Sequence, residues 1–349
     1  MSDIAQRKTD HLDLAARADV GFKRTTTLFE CVRLVHDALP ELDFEALDTG
    51  VQLFGKRLRA PLVIAAMTGG TERAGNINRE LASIAEEKGY AFGLGSQRAM
   101  HKRAEAAPTY RVRDVAPSAL VLGNVGIVQA GAMSSDELAA LCSAVSADAL
   151  CIHLNPAMEL VQADGDRDFR AGEATLSRLI ADLPVPVVVK ETGCGLSAGV
   201  TRRLYGLGIR HVDVSGAGGT SWVAVETHRA TPERRRLGET FWEWGIPTAA
   251  SVALAARQPF ETIVATGGVA TGLDVAKAIA LGATVAGIAR PVLRALEEGG
   301  RQAALQLLEQ VELELKMAML LVGARDLAAL RRAPRMVSGE LAAWIDASA

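Results

Sequence analysis

The stretch Pro186–Thr220, PVVVKETGCGLSAGVTRRLYGLGIRHVDVSGAGGT, decides the fold. It opens on an apolar run, Pro186–Lys190, passes through a helical segment, Ser197–Leu207, and returns to a second run, Ile209–Val214. A glycine-rich loop, Ser215–Thr220, closes it. Neither run alternates polar with apolar residues, which is the pattern of parallel strands buried on both faces. Strand, helix and strand in this length make one βαβ unit.

The same unit recurs on both sides. Pro61–Ala66, Ala91–Gly95, Leu120–Gly123 and Ala149–Leu154 precede it, and Glu261–Thr266 and Thr284–Ala289 follow. Helical segments lie between most of them: Ile77–Lys88, with Ile77, Leu81, Ile84 and Ala85 on one face, then Ala171–Leu183, Gly272–Leu281 and Pro291–Glu298. Ser134–Ala147 opens with SSDE, a Ser N-cap before acidic residues in the first turn. Eight β runs with helical connections predict an α/β fold, a (β/α)8 TIM barrel, with a doubly wound sheet as the alternative. The expected organisation is one domain over residues 1–349, with a barrel core at about 58–300 and a C-terminal helical extension at about 301–349. An N-terminal extension precedes the barrel, and a long loop, Trp222–Pro259, follows strand six. Its Arg234–Arg236 run reads as a solvated loop face or as an active-site lid.

Composition narrows the class. With 38 Lys+Arg against 41 Asp+Glu the net charge is −3, which leaves no electrostatic footprint for nucleic acid or an anionic membrane. The chain carries 33 Gly and only 4% aromatic residues, so the expected core is Val, Ile, Leu and Ala with many tight turns. Residues 1–19 mix Lys, Arg and Asp and do not read as a signal peptide. The most apolar stretch, Ala278–Ala289, is shorter than the ~20 residues of a spanning helix. Cys31, Cys142, Cys151 and Cys194 form no CxxC pair and read as reduced thiols of a cytoplasmic protein.

A barrel of this kind places its site at the C-terminal ends of the strands. Those ends collect Ala66-Met67-Thr68-Gly69-Gly70, Ser96-Gln97-Arg98, Asn124, His153-Leu154-Asn155, Lys190-Glu191-Thr192-Gly193, Ser215–Thr220, Thr266-Gly267-Gly268 and Ala289-Arg290-Pro291. Turns alone would explain the glycines, but not a hydrogen-bonding partner beside almost every one. The last three loops suit a phosphate: small residues let backbone N–H groups approach an anion, and helices begin near Gly272 and at Pro291. No complete dinucleotide fingerprint competes, so a phosphate-bearing cofactor here points to flavin mononucleotide (FMN). Lys190 reads either as a cation beside the flavin's electron-rich ring or as a solvent-facing strand end. Glu159, six residues beyond His153, reads as a Mg²⁺ ligand sharing the ion with substrate phosphates, or as a capping or surface carboxylate. Arg7-Lys8 read alone as part of a charged tail, with folding over an anionic ligand as the alternative. His153 and His211 are the candidates for a base near the flavin, His211 lying mid-strand as a packed residue. Cys194 lacks any partner for nucleophilic chemistry.

Taken together, Arg7-Lys8-Thr9-Asp10-His11, Met67–Gly70, Gly95–Arg98, His153-Leu154-Asn155, Gly165–Phe169, Lys190-Glu191, Ser215–Trp222, Gly267-Gly268-Val269 and Gly287–Pro291 resemble the type 2 isopentenyl-diphosphate isomerases, which are FMN-dependent barrels. The resemblance runs in consistent order from about residue 7 to residue 325. It implies interconversion of isopentenyl and dimethylallyl diphosphate with reduced FMN as acid–base group, NADPH as reductant and Mg²⁺. The implied partners are this small diphosphate and further copies of the chain, in a tetramer or octamer. It assigns the flavin to Ala66, Met67, Thr68, Ser96, Asn124, Lys190, Ser215, Thr220, Gly267, Gly268, Val269, Ala289 and Arg290. Substrate contacts fall to Arg7, Lys8, Ser96, Gln97, Arg98, His153, Asn155 and Met158, and the metal to Glu159. In this reading Arg7-Lys8 become a diphosphate clamp, and His153, Asn155 and Met158 position the substrate. The family usually carries Gln where this chain has Met158, in His153-Leu-Asn-Pro-Ala-Met-Glu159. That change leaves room for an altered allylic or diphosphate substrate. The alternatives are another FMN barrel oxidoreductase, of the 2-hydroxy-acid oxidase or dehydrogenase kind, and a flavin-binding protein without catalysis.

Overall fold

The computed structural model describes residues 3–347, so the outermost positions of the expected domain, 1–2 and 348–349, lie outside the described residues. All eight runs become strands of one closed parallel barrel: β1 (Leu62–Ile64), β2 (Ala91–Gly93), β3 (Leu120–Gly126), β4 (Ala149–His153), β5 (Val187–Lys190), β6 (His211–Asp213), β7 (Thr262–Thr266) and β8 (Val285–Ile288). Neighbours follow sequence order, and Ile64 beside Ile288 closes the ring between β1 and β8. Closure excludes the doubly wound alternative.

Local chemistry sets the helix starts. Thr71 accepts the N–H of Ala74 and begins the helix Glu72–Lys88 earlier than its apolar stripe predicts. Ser134 and Glu137 form a capping box ahead of Ser135–Val145, as the SSDE pattern requires. The predicted long loop after β6 is mostly helical: Trp222–Arg229, Pro232–Thr240 and Thr248–Ala255. Its pattern hides this because Pro232–Thr240 buries only Gly238, whereas Thr248–Ala255 is buried nearly all round. Neither shows a single apolar stripe. Arg234 donates to the Leu160 carbonyl at 2.8 Å, while Arg235 and Arg236 face solvent.

The two ends of the barrel differ. At the N-terminal end a ribbon, Val51–Leu53 paired with Lys56–Leu58, turns through Phe54 and Gly55 at φ of 45° and 79°. It packs Leu53 into an interior cluster with Val63, Leu120, Val188, Val264 and Val285. His211 is the first residue of β6, not a mid-strand one; its ring packs edge-on against Phe54 at 4.9 Å, and Nδ1 pairs with Thr262 Oγ1 at 3.1 Å. It therefore belongs to the plugged end, away from any site at the strand C-termini. There Arg290–Leu321 follows β8 and kinks at Gly299–Gly300. Its distal half lies along the barrel's outer helices, with Tyr90 donating to Glu312 at 2.7 Å. Among the described residues no helix is long and apolar enough to cross a membrane.

Candidate active site

Two adjoining cavities occupy the C-terminal mouth of the barrel, sharing His11, Ala66, Met67, Lys190 and Trp222 as common wall. The larger, about 600 Å³, is lined by the loops after β6, β7 and β8. Ala66, Met67, Lys190, Ser215, Thr220, Gly267, Gly268, Val269, Ala289 and Arg290 all reach it. Its glycines do more than expose backbone. A Cβ on Gly219 would lie 2.3 Å from the Gly268 nitrogen, so the β6 and β7 loops meet backbone to backbone. Gly267 adds a φ of +107° that side-chain-bearing residues rarely adopt.

Of the two helix starts expected to face an anion, one does. The helix Gly272–Leu281 is closed by its own Thr271–Asp274 capping box, and Glu314 accepts the Gly272 N–H at 2.7 Å. Two carboxylates at that terminus disfavour a phosphate. Arg290–Leu321 instead starts with Pro291 in its first turn and no side-chain cap on Ala289, and Ala289, Arg290 and Pro291 line the cavity. Its first N–H groups and dipole face the cavity rim. The Arg290 guanidinium is engaged elsewhere, donating to the Ala15 and Ala18 carbonyls at 2.9 and 2.5 Å.

Lys190 is the joint between the cavities. It is buried, not a solvent-facing strand end, and its Nζ donates to the Glu191 carbonyl at 2.7 Å and to Ser215 Oγ at 3.1 Å. Asp213 Oδ2 lies 3.9 Å away and supplies the compensating charge that a buried ammonium needs. Ser215 holds its position at a φ of 38°, a strained conformation kept by the carbonyl bonds it accepts from Gly193 and Gly195.

The smaller cavity, about 110 Å³, is cationic. Arg7, Lys8, Ser96, Arg98, Asn124, His153, Asn155, Met158 and Glu159 line it. The N-terminal segment is thus no loose tail: Asp3–Arg17 is a helix lying across the mouth. His11 Nε2 meets the buried Glu226 at 2.7 Å, and Arg229 joins Glu226 at 2.8 Å and Asp10 at 3.1 Å. This anchoring sets Arg7 and Lys8 over the cavity. Burial beside Arg7 and Arg98 pushes Lys8 down to about 8. The Nε atoms of Arg7 and Arg98 are buried without a partner, two charged donors awaiting acceptors. Burial, with Lys190, Lys8 and Arg98 nearby, lowers His153 to about 3, so the ring is neutral at physiological pH. Asn124 Nδ2 donates to the Leu94 carbonyl at 3.0 Å, which turns Oδ1 to His153 Nδ1 at 2.8 Å and leaves the histidine proton on Nδ1. The Glu159 carboxylate accepts from Asn155 Nδ2 and from the Asp166 N–H, both at 2.8 Å.

Two expected site residues stand apart. Gln97 is fully buried behind the wall; its amide donates to the Leu141 carbonyl at 3.2 Å and accepts the Asn124 N–H at 3.0 Å, so it supports the site and does not line it. Thr68 lines neither cavity, and its buried hydroxyl has no partner. Cys194 is no nucleophile, since burial next to Glu191 pushes its thiol far up. His11, Gln129, Gln162 and Trp222 also line the smaller cavity, and no sequence motif assigns them a role. For His11 a signal existed: Arg7 and His11 are four apart, one face of a helix.

An isopentenyl-diphosphate delta-isomerase from Synechococcus sp. is 46% identical over 335 residues, covering 95% of this chain and 96% of that protein. The chain belongs to the isopentenyl-diphosphate delta-isomerase family. The Methanothermobacter thermautotrophicus isomerase is 42% identical, covering 98% and 96% of the two chains. That of Thermococcus onnurineus is 41% identical, covering 97% and 93%. The pattern of the FMN-dependent dehydrogenase family matches residues 2–116 and 144–337. Among solved structures, a mandelate oxidase variant with (S)-mandelic acid superposes with a TM-score of 0.68, covering 97% of this chain and 98% of that one. At 19% identity that likeness shows the barrel fold alone.

Proposed function

We propose that this chain interconverts isopentenyl diphosphate and dimethylallyl diphosphate, an allylic 1,3-proton shift without net redox change, using FMN reduced by NADPH, and Mg²⁺. The observation that carries the reading is the pairing of a glycine-walled cavity with a cationic one in which the buried Nε of Arg7 and of Arg98 has no hydrogen-bond partner. A diphosphate supplies the acceptors those donors lack.

The residues present fit FMN. Gly267, Gly268, Thr220 and the uncapped helix start at Ala289–Arg290 suit its phosphate. Ala66, Met67, Ser215 and Val269 form a largely apolar wall for the ring system. Ser96 and Asn124 would meet the flavin from the other cavity. Reduced FMN, when bound, would supply acid–base chemistry, one proton for the alkene and a base for the proton lost at the allylic carbon, with electron density to stabilise the positive charge between them. The protein positions and excludes water. Arg7, Lys8 and Arg98 hold the diphosphate and fix the carbon skeleton. Lys190 keeps a positive charge at the joint, where it favours an anionic reduced ring. His153, neutral and tethered to Asn124, and Asn155, tethered to Glu159, orient the substrate. Met158 packs against its hydrocarbon part, Sδ lying 4.0 Å from Asn155 Nδ2.

The donor set also fits Mg²⁺. Among the described residues no group of three or more His, Cys, Asp or Glu gathers as a cage. One carboxylate, Glu159, suits an ion that keeps several waters and shares substrate phosphates. One barrel domain, working in the cytoplasm as a tetramer or octamer, completes the reading. The deciding test is anaerobic incubation with FMN, NADPH, Mg²⁺ and isopentenyl diphosphate in D₂O. Deuterated dimethylallyl diphosphate is expected; absence of both product and deuterium exchange would refute the reading, and oxidation of 2-hydroxy acids in air would favour the oxidase alternative.

A further inference from the structure

The helix after β4, Pro156–Val161, ends at Gln162, whose N–H donates to the Met158 carbonyl at 3.1 Å. The Gln162 carbonyl accepts Arg167 Nη2 at 2.7 Å. With its backbone held on both sides, the side chain is confined to the wall of the cationic cavity, which it lines. It is 8% exposed, and Oε1 is buried with no hydrogen-bond partner. A buried acceptor left unpaired costs about 1–3 kcal/mol, so it calls for an occupant that supplies a donor or a positive charge.

The unpartnered groups around this cavity sort by sign. Arg7 Nε and Arg98 Nε are donors, matched by phosphate oxygens. Gln162 Oε1 is an acceptor, and a fully ionised diphosphate has only acceptors to offer it. Glu159, three residues earlier on the same chain segment and lining the same cavity, brings the one carboxylate there. A neutral amide oxygen and a carboxylate lining one cavity are hard-oxygen donors that suit a divalent cation or the donor waters it carries. We propose that Gln162 is the second protein oxygen for the divalent cation held at Glu159, bound through Oε1 directly or through a coordinated water. This rests on the reading of the cavity as a metal–diphosphate site.

The test is Mn²⁺ binding followed by electron paramagnetic resonance, on protein loaded with oxidised FMN and isopentenyl diphosphate, so that no turnover intervenes. Diphosphate binding in EDTA is measured alongside by calorimetry. Gln162→Leu is expected to weaken Mn²⁺ about tenfold, in the range for losing an outer partner of a metal site. FMN affinity and metal-free diphosphate affinity stay within about twofold, which a general structural defect would not allow. Gln162→Glu, nearly isosteric, keeps the acceptor and is expected to bind Mn²⁺ at least as tightly as the wild type. Equal Mn²⁺ affinity in Gln162→Leu and wild type overturns the inference. So does a Gln162→Glu variant that loses metal-free diphosphate binding without gaining Mn²⁺, because the amide nitrogen would then face a phosphate. A wild-type protein that binds no Mn²⁺ with the diphosphate present overturns the underlying reading of the site instead.

Discussion

The two cavities at the barrel mouth prepare for anions in opposite ways. The larger uses backbone: glycine loops pressed together and the open start of Arg290–Leu321, with the Arg290 guanidinium spent on the Ala15 and Ala18 carbonyls. The smaller uses side-chain charge: Arg7, Lys8 and Arg98 crowd together, and burial with the repulsion of the two arginines lowers Lys8 to about 8. Backbone donors cost little to leave waiting at a solvated rim, and they suit a cofactor that stays bound. Clustered cations repel one another until an anion arrives, and they suit a ligand that comes and goes.

The sharpest break in this comparison is Arg7→Ala. Removing one charged partner from a desolvated site typically costs about 2–5 kcal/mol, so diphosphate affinity should fall thirtyfold or more. FMN affinity, which the proposed function assigns to the other cavity, should hold; flavin fluorescence and diphosphate titrations measure the two separately. Gly219→Ala attacks the opposite side. Its new Cβ would meet the Gly268 nitrogen, and the overpacking, about 1–3 kcal/mol, should weaken FMN roughly tenfold or more while leaving metal–diphosphate binding nearly intact.

A pH series sharpens the contrast further. Lys8 sits below the ordinary 10.5, so between about pH 8 and 10.5 the unfolded chain holds a proton that the folded chain does not. Stability therefore rises with pH across that window as the penalty of a charged Lys8 is relieved. Diphosphate affinity should move the other way, falling above pH 8 with proton uptake on binding, whereas FMN affinity should show no such inflection. Lys8→Met should flatten both trends; thermal melts and calorimetry in buffers of different ionisation enthalpy would show whether it does. The smallest effect expected is that of Met158→Gln, which adds one neutral amide beside the hydrocarbon and should raise turnover by about two- to tenfold. Unchanged turnover would mean that the thioether already packs the substrate as well as an amide does.

Much of this was legible before any coordinates. Every barrel strand showed itself through continuous apolar runs, and Ser134 announced its helix, because each depends on residues within a few positions. Lys190, Glu159 and the glycine loops could be placed at strand ends for the same reason. The failures were of direction and distance. Gln97 and Arg98 are neighbours, yet one turns behind the wall and the other into the cavity. Asp3–Arg17 looked like a tail because its anchor, Glu226, lies 215 residues from His11. Gln162 carried no signal at all, since an unsatisfied oxygen exists only once its surroundings are packed.

The sequence by itself determined the eight strands, their parallel order and the end of the barrel at which chemistry collects. Hydrophobic period and turn residues act over a few positions, and closure follows when eight such units repeat. Only the tertiary structure decided that Arg7, Lys8 and Arg98 would share one small cavity, that Lys190 would join it to the larger one, and that His211 would fall at the plugged end. Those outcomes depend on desolvation and charge across the fold, which no local pattern encodes.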